Sequence, residues 1–259
     1  MTRRIVVHYH IFKNAGTTVD GVFRRALGVE AIGRIEGPHP WNTVANDDLK
    51  RFIQERIELR VVSSHQARLP APEIDGVEIY PVVFLRNPID RVGSVYEFER
   101  RIPANSASLG AAIARQNGLS GYVKWRLQDG NGAVIKNFHV VHLAGRLTDM
   151  RTATATENDF ALARARLTAL PFFGLVERFE ASLSQMARYL HSSIGTDLNS
   201  DYQIENRSPG RKTTLNERID DIRFELGETL YQELIEKNEK DLRLYKTALA
   251  LVEMRPRFP

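Results

Sequence analysis

An α/β fold, with a central parallel sheet covered by helices on both faces, is what the sequence predicts. Three observations carry the prediction. Short runs rich in β-branched and aromatic residues recur along the chain, stretches with apolar residues at helical spacing lie between them, and polar clusters follow the ends of the runs. Strands that alternate with helices are joined by crossovers, and crossovers make the strands parallel. Such sheets bind ligands beyond the carboxyl ends of their strands. With no internal repeat, low-complexity tract or linker-like stretch, residues 1–259 read as one domain.

"RIVVHYH" (4–10) is a buried strand ending in a polar turn. After the turn, Val19, Val22, Phe23, Ala26 and Leu27 fall on one face of a helix. "GPHPW" (37–41) is a loop, residues 46–57 are helical, and "LRVVSSH" (59–65) is a second strand. The loop "RLPAPEIDG" (68–76) leads to a third strand, "IYPVVFLRNP" (79–88), stopped by Asn87-Pro88. A helix runs from Ile89 to about Arg101, and residues 106–170 are mostly helical, broken by "DGNG" (129–132). "PFFGLVERF" (171–179) is a fourth strand, and Phe179, Leu183, Met186, Ala187 and Leu190 mark the next helix. "ENRSPGRKTT" (205–214) is a polar, basic loop. Ile219, Ile222, Leu226, Leu230 and Leu234 again step by three and four, and helical residues continue to about Met254. The clusters "KNAGTT", "SSHQ" and "LRNP" each follow a strand and are expected to converge at one edge of the sheet.

A hydrophobic content of 42% and a charged content of 26% are those of an ordinary globular protein. No stretch approaches the ~18 consecutive apolar residues of a membrane span, and "MTRRIVVHYH" lacks the apolar core of a signal peptide. The absence of cysteine excludes disulfides, thiolate zinc sites and cysteine nucleophiles, and fits a cytoplasmic protein. A net charge of +4 is too mild for a general nucleic-acid binder, but compatible with a local basic cleft for an anion.

The turn "HIFKNAGTT" (10–18) joins a strand to a helix N-terminus, where free backbone N–H groups and the helix dipole favour an anion. Gly16 permits a tight turn and close backbone approach. Thr17 and Thr18 can cap the helix or donate hydroxyls, and Lys13 can place an ammonium over the same group. The alternative is a plain capped turn with a solvated lysine. The stretch departs from the nucleotide-kinase loop G-x-x-x-x-G-K-[ST], because its lysine precedes the glycine.

This turn resembles the 5′-phosphosulfate loop of sulfotransferases that use 3′-phosphoadenosine 5′-phosphosulfate (PAPS). It is most similar to the carbohydrate-type branch related to heparan sulfate 2-O-sulfotransferase, whose loop reads roughly H-I-P-K-T-A-G-T-S. Phe12 and Asn14 depart from that pattern. "FLRNPIDRVGSVYEF" (84–98) resembles the same family's 3′-phosphate motif, with Arg86 at the strand end and Ser94 eight residues on. An arginine with a hydroxyl can hold a phosphate monoester through charge and hydrogen bonds together. Weaker similarity extends through "KNFHVVHLAG" (136–145), "FFGLVERFEASL" (172–183), "RSPGRK" (207–212) and "EKDLRLY" (239–245), so that it covers nearly the whole chain in order.

The resemblance implies a P-loop-NTPase-like three-layer fold and in-line transfer of a sulfuryl group from PAPS to an acceptor hydroxyl on a glycan or small molecule, with no metal. It implies donor binding by Lys13, Asn14, Ala15, Gly16, Thr17, Thr18, Arg86, Ser94, Arg211 and Lys212. Lys13 is the cation for the leaving phosphate, and His65, at the end of the second strand, is the expected base. Imidazoles ordinarily titrate near neutral pH. The other reading of His65 is a structural histidine bonding a carbonyl. His8 and His10 read as packed or supporting residues. His139 and His142 lie three apart on a helix face with no evident carboxylate partner. Glu97 and Glu99 are weaker base candidates, and Arg100, Arg101, Lys124 and Arg126 could line an acceptor groove or be solvated helix charges. The family's eukaryotic members usually carry a membrane anchor, so this chain, without one, is expected to be a bacterial cytoplasmic enzyme. The oligomeric state and the acceptor are left open. Two other functions compete: a small-molecule or nucleotide kinase on a related fold, and a non-catalytic protein that binds a nucleotide or an anionic glycan.

Overall fold

The computed structural model describes residues 2–147, 149–198 and 212–254. In chain order it contains β1 (Arg3–Tyr9), α1 (Gly16–Leu27), β2 (Ile32–Arg34), α2 (Asn46–Glu55), β3 (Val61–Ser64), β4 (Val77–Leu85), α3 (Pro88–Arg100), α4 (Leu109–Leu127), α5 (Phe138–Leu143), α6 (Glu157–Ala169), β5 (Gly174–Leu175), α7 (Phe179–Ile194), α8 (Leu215–Leu226), α9 (Glu228–Lys237) and α10 (Glu239–Met254). The strands form one five-stranded sheet in the order β2-β3-β1-β4-β5, every pairing parallel. This is the expected α/β architecture, a three-layer P-loop-like arrangement with β1 in the middle. Among the described residues no helix is long and apolar enough to cross a membrane.

Alternation along the strands sorts the core into two layers. Ile5, Val7 and Tyr9 of β1, with Val62 of β3 and Val83 and Leu85 of β4, pack against α2, α5, α6 and α10. Val6, Val61, Val82 and Phe84 face the other way, onto Val19, Val22 and Phe23 of α1 and Leu183, Met186 and Leu190 of α7. A third cluster joins α3, α4, α8 and α9 around Val92, Tyr122 and Ile222. In the register, Tyr9 lies opposite Ser64 on one side and Val83 on the other. The carboxyl ends of β1, β3 and β4 are therefore adjacent, and "KNAGTT", "SSHQ" and "LRNP" leave the sheet side by side.

Three elements differ from the sequence expectation. The sheet has a further strand, β2, only three residues long and partly exposed, which carries too little apolar alternation to be recognised. The expected strand over 171–179 is reduced to Gly174 and Leu175. Gly174 lies so close to the Phe84 ring that a side-chain carbon there would overlap it, and the chain then turns into a single 3₁₀ turn at Val176–Arg178. Because β5 is this short, β4 is an edge along most of its length, where Pro81 costs no ladder bond. The apolar stepping from Ile219 to Leu234 is shared by two helices, broken at Gly227, whose φ of 70° only glycine adopts freely. Likewise, within 106–170, residues 128–137, 144–147 and 149–156 are not helical.

Asp241 ties α10 to the sheet's far layer. It is 1% exposed and accepts the Val140 N–H at 2.8 Å and the His139 N–H at 2.9 Å, satisfying the head of α5. Burial raises its carboxyl to about 6, against the opposing pull of those two N–H groups and of Arg91. The folded protein thus keeps a proton that the unfolded chain releases near pH ~4. The stability this contributes is complete below pH 4 and is lost as pH rises through 6. Chemical denaturation of wild type and Asp241→Asn from pH 4 to 7 should show the wild type losing on the order of 2 kcal/mol relative to the permanently neutral variant; a constant difference would contradict the assignment.

Candidate functional site

The turn between β1 and α1 passes through two left-handed residues, Lys13 (φ 65°) and Ala15 (φ 61°), before the helix opens at Gly16. Non-glycine residues adopt this region at a cost, and turns of this kind aim successive N–H groups into one concavity. Ala15 is the N-cap and no side chain caps the helix, so Thr17 and Thr18 lie inside the first turn rather than serving as caps. Thr18 is buried and Thr17 half-buried. The Asn14 side chain turns inward: its Nδ2 donates to Phe84 O at 2.7 Å and lies 2.9 Å from His139 Nε2. The Lys13 ammonium sits 4.8 Å above the Phe98 ring centroid.

Beneath the turn lies a cluster that the sequence reading did not assemble. Asp20, one turn into α1, receives His8 Nδ1 at 2.6 Å on one oxygen, and His10 Nδ1 at 3.2 Å and the Ser63 hydroxyl at 3.1 Å on the other. An ionised carboxylate only accepts, so both Nδ1 atoms carry the proton. Burial pushes Asp20 up, and the charge of His8 and the bonds from both imidazoles outweigh it, holding the carboxyl well below its usual range. Burial lowers His10 to about 4, opposed by its bond to Asp20. The ligand atoms of His8, His10 and Asp20 lie within 4.8 Å of one another, a spacing that a metal ion can bridge. The 2.6 Å contact, however, is a direct hydrogen bond, shorter than the ~3.3 Å edge of a tetrahedral zinc site with ~2.0 Å bonds.

His65 follows β3, with 28% of its side chain exposed. Its Nδ1 lies 2.8 Å from Glu36 Oε1, and its backbone N–H donates to the same oxygen at 3.0 Å. Arg34 donates to that oxygen at 3.1 Å and also approaches Nδ1, at 2.7 Å. Nδ1 thus meets both a donor and an acceptor; in the tautomer that donates to Glu36, Nε2 carries the lone pair. Burial pushes Glu36 up, but the bonds from the His65 ring and backbone and from Arg34 prevail and lower it. The His65 ring lies tilted against His10, with centroids 3.8 Å apart.

Arg86 stands at the end of β4, nearly buried. Its Nε donates to Asp90 at 2.7 Å and its Nη1 to the Lys13 carbonyl at 2.9 Å, so it also braces the turn. Arg218 of α8 donates to the other oxygen of Asp90 at 2.7 Å. Two guanidinium groups around one carboxylate leave a net positive charge. Ser94, two turns along α3 from Arg86, is buried and makes no hydrogen bond among the described residues. Lys212 is exposed just before α8, and its carbonyl accepts from Arg218 at 3.2 Å. Arg211, with Arg207 and Gly210, lies outside the described residues.

Other expected residues have structural partners. Glu97 pairs with Arg100 and Arg101 on the surface of α3. Glu99 holds Arg126 at 2.6 Å. Lys124 is exposed. His139 does have a carboxylate partner: its Nδ1 lies 3.3 Å from Asp241. Burial keeps His139 and His142 well below the usual range, so both are neutral. The sequence reading missed Asp20, Glu36, Arg218 and Asp241. Only Asp20 left a local signal, a carboxylate among the buried positions 19, 22 and 23 of an amphipathic helix.

Gly16 is the position on which the turn closes, since a side-chain carbon there would overlap the His10 ring. Gly16→Ala should displace His10 or the turn and lower the thermal midpoint by several degrees, equivalent to ~1–3 kcal/mol of overpacking. An unchanged midpoint in a melting experiment would show that the ring is free to move.

The chain matches no model of a known protein family. It is 32% identical over 257 residues to an uncharacterized protein of the archaeon Archaeoglobus fulgidus, an alignment that takes in 95% of this chain and 96% of that protein. That relative being archaeal, the expected bacterial origin gains no support from it. At that identity over nearly the full length of both, the chain belongs to the same family as the Archaeoglobus fulgidus protein.

Proposed function

We propose that the protein is a PAPS-dependent sulfotransferase that transfers a sulfuryl group to an acceptor hydroxyl, on a carbohydrate or a small molecule. The observation that carries the reading is the meeting of three strand ends: an anion-suited turn after β1, a histidine bonded to Glu36 after β3, and, after β4, Arg86, which Asp90 joins to Arg218 of α8. In this reading the donor's 5′-phosphosulfate rests on the turn of residues 13–18 at the head of α1, where the Asn14 N–H is already bonded to the Ile11 carbonyl, and its 3′-phosphate reaches Arg86, Ser94 and Arg218, with Lys212 beside them.

His65 Nε2 removes the acceptor proton as the acceptor oxygen bonds to sulfur. The bond from sulfur to the bridging phosphate oxygen breaks, and adenosine 3′,5′-bisphosphate leaves, its charge met by Lys13 and the helix N-terminus. Glu36 balances the imidazolium that forms. The residues fit this donor without a metal, and the reaction is proposed to occur in the cytoplasm.

Calorimetric titration should give tight binding of adenosine 3′,5′-bisphosphate and weak binding of ATP with magnesium. The reverse order would replace the reading with a kinase. Arg86→Ala should weaken the bisphosphate far more than its 3′-dephospho form; equal losses would remove Arg86 from the 3′-phosphate.

In a transfer assay, His65→Asn should slow turnover by ~10²–10⁴-fold while leaving bisphosphate affinity nearly intact. Glu36→Gln should lower kcat less than His65→Asn does, because the imidazolium then loses its balancing carboxylate. Full turnover by His65→Asn would transfer the base role elsewhere, or identify a protein that binds without catalysing.

A further inference from the structure

His10 occupies the space between the turn and the base. On one side its ring lies against His65, centroids 3.8 Å apart and planes 32° apart. On the other, its Cδ2 and Nε2 lie where a side-chain carbon on Gly16 would stand, at the first residue of α1. Asp20 holds Nδ1 at 3.2 Å, which turns Nε2 toward the helix. The residue is 5% exposed, and its Nε2 makes no hydrogen bond among the described residues.

The protonation of this ring decides what it offers. With Nδ1–H committed to Asp20, a neutral His10 presents a lone pair beside the head of α1, which repels an anion. A protonated His10 presents an N–H donor there, its charge paired with Asp20. Three titratable groups face it: His8 on β1, Asp20 on α1 and His65 after β3, while Lys13 is the turn's own cation. Burial and the two neighbouring histidines keep the ring neutral at pH 7 in the unoccupied protein, against Asp20. A multiply charged anion within reach of Nε2 adds a second negative partner and reverses that balance.

We infer that His10 takes up a proton as the anionic end of the donor settles at the head of α1, and donates it as an Nε2–H hydrogen bond to the oxygens of the group being transferred. This rests on the donor reading above and adds a group that touches the reacting centre. The proton comes from solvent and stays on His10 through the transfer, while the acceptor's proton goes to His65.

The test is calorimetric titration of wild type and His10→Gln with adenosine 3′,5′-bisphosphate at pH 7, in buffers of different ionisation enthalpy. Wild type should take up about one proton more per ligand bound than the variant. Its affinity relative to the variant should rise by up to about tenfold per pH unit from pH 8 to 6. In wild type labelled with ¹⁵N-histidine, the His10 ring signals should move from the neutral to the imidazolium pattern on addition of the same ligand, a measurement that does not depend on the variant folding. Binding with equal proton counts and unmoved ring signals overturns this inference and leaves the donor reading intact. Failure of wild type to bind the bisphosphate overturns the donor reading itself.

Discussion

The carboxylate of Asp20 is the point on which the architecture of the site depends. It is a buried charge, and a buried charge persists only when paired and hydrogen-bonded. Its partners come from both of the adjacent central strands, His8 and His10 from β1 and its turn and Ser63 from β3. One group therefore sets the depth of α1 against the sheet, the orientation of two imidazoles and the spacing of two strand ends. Removing it would leave several polar groups buried without a partner, each costing ~1–3 kcal/mol.

The same device recurs around the turn. Asn14 bonds Phe84 O and meets His139, which in turn reaches Asp241 on α10. Arg86 grips the Lys13 carbonyl while Asp90 holds Arg86 and Arg218 together. Arg91, fully buried, donates to the Phe12 carbonyl at 3.2 Å and lies over the Phe138 ring. Three carbonyl or amide groups of a short loop are thus fastened to different layers of the fold. This bracing allows Lys13 and Ala15 to stay in left-handed conformations that a looser loop would relax. The loop's remaining N–H groups are preorganised, which is the condition under which backbone dipoles bind an anion with little reorganisation.

The charges at the sheet edge divide by task. Asp20 fixes the tautomers of His8 and His10 and Glu36 bonds His65, and both carboxylates are held ionised by the bonds they accept. Asp90 lowers the local charge of two arginines without cancelling it. In the proposed reading, the positive potential around Arg86 and Arg218 serves phosphate oxygens while the imidazole of His65, at a neighbouring strand end, serves the hydroxyl, two demands that a uniformly basic patch would not meet together.

The sequence by itself determined the layers. Alternation in "RIVVHYH" and "IYPVVFL", and helical spacing in residues 19–27, report which face of each segment is apolar, and burial of apolar faces is what drives segments together. The turn at 13–18 and the arginine at 86 were legible for the same reason, since strand ends and turn residues are local features. Strand order, the brevity of β5, the break at Gly227 and every carboxylate partner were decided only in three dimensions. Asp20 and His10 are ten residues apart, but Glu36 and His65 are 29 apart and His139 and Asp241 about a hundred. Such pairs are selected by the desolvation of charges that meet only after the sheet has formed, and no local pattern records that.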